Sequence, residues 1–353
     1  MVSVDRALLN IFTTQCRGGD GAGLEPVLPA ARTTFYAYGR QALAEGLHRV
    51  GVKPGDGVLL PGFICGEVLS SLALIGAQPR YYAVAPDLRA AGGSVEAQLA
   101  MGVGAIVAVN YFGFPQDLTE FTAWSRTHGV PLIEDNAHGF LSADGRTFLG
   151  RRGDLGLFSL RKTLSLPNGA ALVDNRLRPE GQATWRFTGS CRAAERRYRL
   201  RSALKAVMRH GSCAAAQAVV SVIRSLKSFE SRHGHEQHAE TAMPREAFSS
   251  VTAQLLAQCN VAAEMERRRS LYRYCAEVFA GEVDVHPLFD HLPEGVVPQG
   301  FPFRYRGPDP QSFQTRWWRR GFSIVNWPDS LPAAVASAAP AHYRTTMLVQ
   351  FLW

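Results

Sequence analysis

The sequence predicts an α/β protein, with a large domain built on a mostly parallel sheet between helices and a smaller α+β domain after it. Three observations carry that prediction. Between residues 34 and 134, short apolar runs alternate with stretches of helical period. Gly51, Gly76 and Gly129 close three of those stretches, as expected of helix C-termini. Beyond about residue 176 the alternation gives way to long helical patterns and then to strand-like runs around a single helix. Strands separated by helices require right-handed crossovers, which give a parallel sheet covered on both faces.

The elements follow in order. Gly39 to Val50 carries Leu43, Leu47 and Val50 on one helical face, and the Pro54-Gly55-Asp56 turn leads into a strand from Val58 to Pro61. A second helix, Gly66 to Ile75, aligns Val68, Leu69, Leu72 and Ile75, and a strand from Arg80 to Val84 comes next. A helix over Val95 to Ala100, a strand over Ala105 to Tyr111, a helix over Leu118 to His128 and a strand over Pro131 to Glu134 complete the regular part. Val251 to Phe279 reads as helical. Pro302 to Tyr305 and Phe322 to Trp327 read as strands around a helix near Gln311 to Arg320. The expected division is an N-terminal extension (1–33), the large domain (34–185), a basic helical insertion (186–245) and a C-terminal helix with the small domain (246–353).

Composition narrows the function. With 353 residues, 46% hydrophobic and 19% charged, the chain can bury a sizeable core without staples. Its six cysteines are scattered with no C-x-x-C pair, which excludes a disulfide scaffold or zinc module, and no metal site is expected. The most apolar stretches, Val103 to Val109 and Cys213 to Ile223, fall short of the roughly 18–20 residues that cross a bilayer. No small-residue cleavage site follows the N-terminal apolar run, so the chain reads as mature and cytoplasmic.

Between Arg192 and Lys227 nine basic residues face one acid, Glu195, which accounts for the entire net charge of +8. The remainder has no basic field, and no nucleic-acid motif accompanies the segment. Leu200, Leu204, Val207 and Met208 share one helical face there, with Arg197, Arg201, Lys205 and Arg209 on the rest. Three uses are open: a solvated helix packed on the large domain, peripheral contact with an anionic membrane, or attraction of a diphosphate-bearing substrate.

In parallel sheets ligands collect outside the carboxyl ends of the strands, which directs attention to Asn110, to Glu134–His138 and to Ser159–Lys162. An acid at one strand end and a lysine at a later one are what pyridoxal phosphate requires. The lysine amine joins the aldehyde, and the acid keeps the ring nitrogen protonated so that the ring withdraws electrons. Alone, Asp135 is a strand-end cap or ion-pair partner and Lys162 a solvated side chain. Yet the chain has only four lysines, Lys53, Lys162, Lys205 and Lys227, and uses Arg elsewhere, which cannot make that covalent link at neutral pH. Asn110 reads first as a strand-end residue, while Trp327, Arg304 and Tyr305 are either core residues or the lining of a substrate cleft.

The segments YGRQAL, VGVKPGDGVLLPGFIC, IGAQPRYYAV, YFGFPQDL, HGVPLIEDNAHG and GDLGLFSLRKTLSLPNGAALV resemble, in order and spacing over about residues 34–175, the DegT/DnrJ/EryC1/StrS aminotransferase family. RRRSLYRYCAEVF and FPFRYRGPDPQSFQTRWWRRGFSIVNWP resemble its later parts more loosely. The resemblance implies the aspartate-aminotransferase fold (fold type I, with a seven-stranded type of sheet), pyridoxal 5'-phosphate as cofactor and a homodimer. It also implies an amino donor such as glutamate and a nucleotide-linked keto sugar as acceptor, in polysaccharide or secondary-metabolite biosynthesis. By the same resemblance Lys162 is the cofactor lysine, Asp135 the acid on the pyridine nitrogen, and Ser159 a phosphate ligand. His138 stands where the family commonly places a glutamine on the ring hydroxyl; the open alternative is a turn cap. Gly39, Arg40 and Gln41 open the helix whose N-terminus receives the phosphate, and Arg40 either binds that phosphate or pairs with a carboxylate.

The sequence departs from the family in five places. Tyr38-Gly39-Arg40 replaces Ser-Gly-Thr, the lysine lies about two residues closer to the serine, and Pro167-Asn168-Gly169-Ala170 replaces Gly-Glu-Gly-Gly. Where an aromatic should stack on the pyridine ring, Cys65 falls near the position and Phe63 is the nearest ring. The family motif that reaches a partner subunit is not visible near Met243 to Ser250. The rival readings are an enzyme on the same cofactor with another outcome, such as dehydration or amination of a non-sugar, and a non-catalytic protein docking through residues 192–227.

Overall fold

The computed structural model describes residues 18–21, 23–177, 191–210 and 246–351. Its large domain is a seven-stranded sheet containing β1 (Thr33–Tyr36), β2 (Gly57–Pro61), β3 (Gln78–Tyr82), β4 (Ala105–Val109) and β5 (Leu132–Asp135). A two-residue hairpin, β6 (Ala143–Asp144) with β7 (Thr147–Phe148), precedes the last two strands, β8 (Leu155–Phe158) and β9 (Ala170–Asp174). The spatial order is β1-β9-β8-β5-β4-β2-β3. The five strands from β8 to β3 are parallel, and β9 and β1 close one side antiparallel. Every residue of β2 and β4 is buried, as continuous apolar runs in a doubly covered sheet require.

Flanking helices include α1 (Gly39–Arg49), α2 (Leu69–Ile75), α3 (Gly92–Leu99) and α4 (Thr119–His128). The single turn α5 (Leu160–Thr163) follows β8. The predicted helix from Gly66 starts as a 3-10 turn, Gly66–Val68, and becomes α2 at Leu69. The strand predicted to reach Tyr111 stops at Val109. There Phe112 (φ 58°) and Gly113 (φ 96°) reverse the chain, and a Cβ on Gly113 would lie 2.6 Å from the Val297 carbonyl, so only glycine allows that approach.

The basic segment is a helix, α6, over Arg192–His210. The side chains of Leu204, Val207 and Met208 and all of residues 211–245 lie outside the described residues, as do residues 1–17 and 178–190. One helix predicted over Val251–Phe279 is two, α7 (Ser250–Ala257) and α8 (Val261–Phe279). Asn260 breaks them by accepting the Ala263 N–H at 3.0 Å, and the Gln258 and Cys259 carbonyls are taken by Gly19 and Gly21 N–H groups. The small domain is an antiparallel sheet of β10 (Val285–Pro287), β11 (Gly300–Tyr305), β12 (Ile324–Asn326) and β13 (Thr346–Gln350), in the order β10-β11-β13-β12. Helix α9 (Pro310–Arg319) covers it. No helix among the described residues is long and apolar enough to cross a membrane.

Candidate active site

Sheet order builds the site. Because β5 and β8 are parallel neighbours, their carboxyl ends abut: Asp135 registers with Leu157, and the Asn136 N–H donates to the Leu157 carbonyl at 2.8 Å. The turn after β5 and the helical turn after β8 therefore open into one pocket, whose wall includes Asp135, Ala137, His138, Ser159 and Lys162. Asp135 and Lys162, 27 positions apart in sequence, share a single cavity.

Asp135 is 6% exposed and its Oδ1 accepts the Ala137 N–H at 2.9 Å. Burial raises its pKa above the ordinary carboxyl value, against the opposing pull of that hydrogen bond and of the Lys162 charge. His138 is buried, with Nε2 3.2 Å from Lys162 Nζ and Nδ1 3.4 Å from the Phe112 N–H. Phe112 stacks on its ring at 5.8 Å and Trp327 meets it edge-on at 5.2 Å. Burial, and secondarily the Lys162 charge, push the His138 pKa well below its usual value, so the ring is neutral at physiological pH.

The sign of that shift gives a prediction. The folded protein holds His138 neutral, whereas the unfolded chain protonates it below about pH 6.5. This contribution to stability is present above that pH and is lost as pH falls through it, at up to about 1.4 kcal/mol per pH unit. His138→Gln should flatten the decline in urea midpoint between about pH 6.5 and 5. Equal slopes in the two proteins would refute it.

On the pocket's lining, the N-terminus of α1 presents Gly39 and Arg40. A Cβ on Gly39 would meet nothing within 4 Å, so the backbone there is open to a ligand. Arg40 Nε is buried without a hydrogen-bond partner, and the guanidinium lies 5.3 Å from the Tyr38 ring. Ser159 is buried at the start of α5, and its hydroxyl takes no part in capping that turn. Tyr38 donates its hydroxyl to Glu246, and Arg161 lies over its ring at 5.7 Å. Burial, aided by Glu246, pushes the Tyr38 hydroxyl up to about 12. Tyr38 stood in the motif as a departure only, and Glu246, 208 positions away, left no local signal.

Several expected residues lie elsewhere. Gln41 is on the far side of α1, where its Oε1 caps the Tyr38 N–H at 3.0 Å and its Nε2 donates to the Glu246 carbonyl at 3.0 Å. Phe63 is fully buried behind the pocket, its ring centre 4.7 Å from that of Trp327. Cys65 is on the wall, but its thiol donates to Asp329 at 3.4 Å and burial pushes it up to about 12. Asn110 is fully buried in a structural network, donating to Glu134 at 2.9 Å and accepting from Arg152 at 2.9 Å. Arg304 points to the Pro86 carbonyl and Tyr305 packs on Phe313 at 4.3 Å, both away from the pocket. Trp327 alone of the small-domain candidates reaches the wall, held edge-on by Phe63, Tyr111, Phe112 and His138.

The residues present fit pyridoxal phosphate. A buried carboxyl, a lysine amine and a neutral imidazole converge in one pocket, and its lining adds an open helix N-terminus and an unpartnered buried guanidinium nitrogen. Fold and site together define a protein of the fold type I pyridoxal-phosphate class. Residues 33–266 match the DegT/DnrJ/EryC1/StrS aminotransferase family, and the chain belongs to that family. Protein MosB of Rhizobium meliloti is 33% identical over 134 residues, which are 37% of this chain and 26% of MosB. The chain thus spans about a quarter of that curated relative. A DegT DnrJ EryC1 StrS aminotransferase from Brucella abortus superimposes with a TM-score of 0.63 at 18% identity, over 98% of this chain and 90% of its own. DesV of S. venezuelae gives a TM-score of 0.63 at 17% identity, over 98% and 88%.

Proposed function

We propose that the protein is a pyridoxal-phosphate-dependent aminotransferase that moves an amino group from a donor such as glutamate to a keto sugar carried by a nucleotide. We place it in the cytoplasm, as a homodimer, in polysaccharide or secondary-metabolite biosynthesis. The observation that carries the reading is the approach of Lys162 Nζ to His138 Nε2, 3.2 Å, in the pocket that Asp135 also lines.

The cofactor, when bound, supplies the electron sink that lets a C–H bond next to nitrogen ionise. Lys162 would hold it covalently and, as a free amine, would move the proton at the substrate carbon. Asp135 would hold a proton at the ring nitrogen, and a cationic partner there would offset the burial of its carboxylate. His138 orients the Lys162 amine and offers Nε2 to a neighbouring oxygen. Ser159, Gly39 and Arg40 would receive the phosphate, while the apolar lining of Trp327, Ile64 and Val68 would exclude water.

Incubation with pyridoxal phosphate, glutamate and a panel of nucleotide keto sugars should give 2-oxoglutarate and an amino sugar nucleotide by mass spectrometry. Failure to release a 2-oxo acid from glutamate, glutamine or any other amino acid supplied would remove the aminotransferase reading; release without any aminated sugar would remove only the acceptor class. Asp135→Asn gives a paired prediction. Its raised folded pKa means that the carboxyl stabilises the cofactor-free fold only at low pH, and that contribution is lost as pH rises through the folded value. Asp135→Asn should therefore raise the urea midpoint of the cofactor-free protein at pH 7 while lowering turnover on the order of 10²–10³-fold. A lowered midpoint would contradict the desolvation argument.

A further inference from the structure

Arg268 on α8 is 0% exposed and is the bulkiest of the fully buried side chains. Its guanidinium spans three parts of the chain. Nε donates to Glu264 Oε1 at 2.9 Å, one helical turn back. Nη1 donates to the carbonyls of Pro298 and Gln299, at 3.0 and 2.9 Å, on the segment entering β11. Nη2 donates to the Thr163 carbonyl and lies 3.5 Å from that of Lys162.

The last contact reaches the reacting end of the molecule. A helix of four residues cannot satisfy its own final carbonyls. In α5 the Leu164 N–H returns to Leu160 and the Lys162 N–H to Ser159, while the carbonyls at the C-terminal end face Arg268. A planar fork with five donors can serve a carboxylate and several carbonyls at once, which an ammonium at a single point cannot.

We propose that Arg268 is a positioning residue for Lys162, clamping the turn that carries the amine against α8 and the 298–299 segment so that Nζ is held toward His138 and the cofactor. The proposal rests on Lys162 as the cofactor lysine. Arg268 is not among the residues that line the pocket; it acts through the backbone beneath the amine. When the link forms, Nζ bonds to the aldehyde carbon and the aldehyde oxygen leaves as water with both amine protons. With the cofactor already held by its other contacts, that step is intramolecular, and its equilibrium depends on how narrowly Nζ is placed.

A cycle of variants separates this role from general support of the fold. Arg268→Lys should weaken covalent attachment about tenfold, read from the visible absorbance at fixed pyridoxal phosphate and from the lysine peptide after borohydride trapping. In a Lys162→Ala background the same substitution should change non-covalent pyridoxal phosphate affinity, by equilibrium dialysis, less than about twofold. Glu264→Gln loosens the anchor while keeping the guanidinium, and should show the same pattern at about threefold; it decides the matter if Arg268→Lys does not fold. Equal losses in both backgrounds, or no loss in either, would overturn the clamp. A wild type that attaches no cofactor at Lys162 would instead overturn the reading of the lysine, and the clamp with it.

Discussion

Lys162→Ala is expected to abolish the visible band of the lysine-linked cofactor and to lower turnover on the order of 10²–10⁴-fold. The size of the effect follows from the lack of a substitute. Lys53 is exposed in the turn before β2 and is absent from the pocket, and Lys205 and Lys227 lie in the basic segment outside the described side chains. Arg161, the nearest basic neighbour in sequence, points over Tyr38 and cannot form the link. Lys162→Arg tests charge against amine: it keeps the cation beside His138 yet should fail as completely as alanine. Spectra before and after each substitution, with mass analysis of the borohydride-reduced peptide, provide the check. A mutant spectrum like that of the wild type would end the assignment of Lys162.

Much of this was legible in the sequence because it depends on local periodicity and on strand ends. The apolar runs at β2, β4 and β5 and the glycine stops at Gly76 and Gly129 fixed a parallel sheet, and a parallel sheet places residues 135–138 and 159–162 at one edge. Adjacency was a different matter. Nothing in the spacing says that β5 and β8 are neighbours, and only that pairing puts Asp135 and Lys162 in one cavity. The resemblance supplied it. Gln41 and Phe63 were judged by position along the chain, as was Asn110, whose first reading as a strand-end residue agrees with its network. Each is turned from the cavity by a partner distant in sequence: the Glu246 carbonyl for Gln41, Trp327 for Phe63, and Arg152 for Asn110. Arg304 and Tyr305 were judged by residue type alone, and β11 directs them to Pro86 and Phe313. Arg268 was hidden within a run of three arginines, where nothing marks the one whose side chain turns inward.

The largest effect on stability should come from Arg152→Met. Glu134, beside Asp135, is 0% exposed, and its carboxylate is held by three donors of Arg152: the backbone N–H at 2.9 Å, Nε at 2.8 Å and Nη2 at 2.7 Å. Arg152 also reaches Asp144 at 2.8 Å, the Gln116 carbonyl at 3.1 Å and Asn110, which in turn accepts the Gln116 N–H at 2.9 Å. Removing the guanidinium leaves a charge in the interior with only the residue-152 backbone N–H and the Asn110 amide, the kind of loss that costs about 3–5 kcal/mol. At about 2–4 °C per kcal/mol for domains of a few hundred residues, the melting temperature should fall on the order of 10 °C. Adding Glu134→Gln should recover about half of the loss, because a neutral amide no longer needs the cation and the Asn110 hydrogen bond can persist. If the double variant melts no higher than Arg152→Met alone, the cost arises from lost packing of the long side chain rather than from the stranded carboxylate. The network also braces the turn from Asn110 to Gln116, which carries the Phe112 N–H against His138. The cofactor affinity of Arg152→Met should therefore decline with temperature before the fold melts, as the imidazole beside Lys162 loses the backbone that orients it.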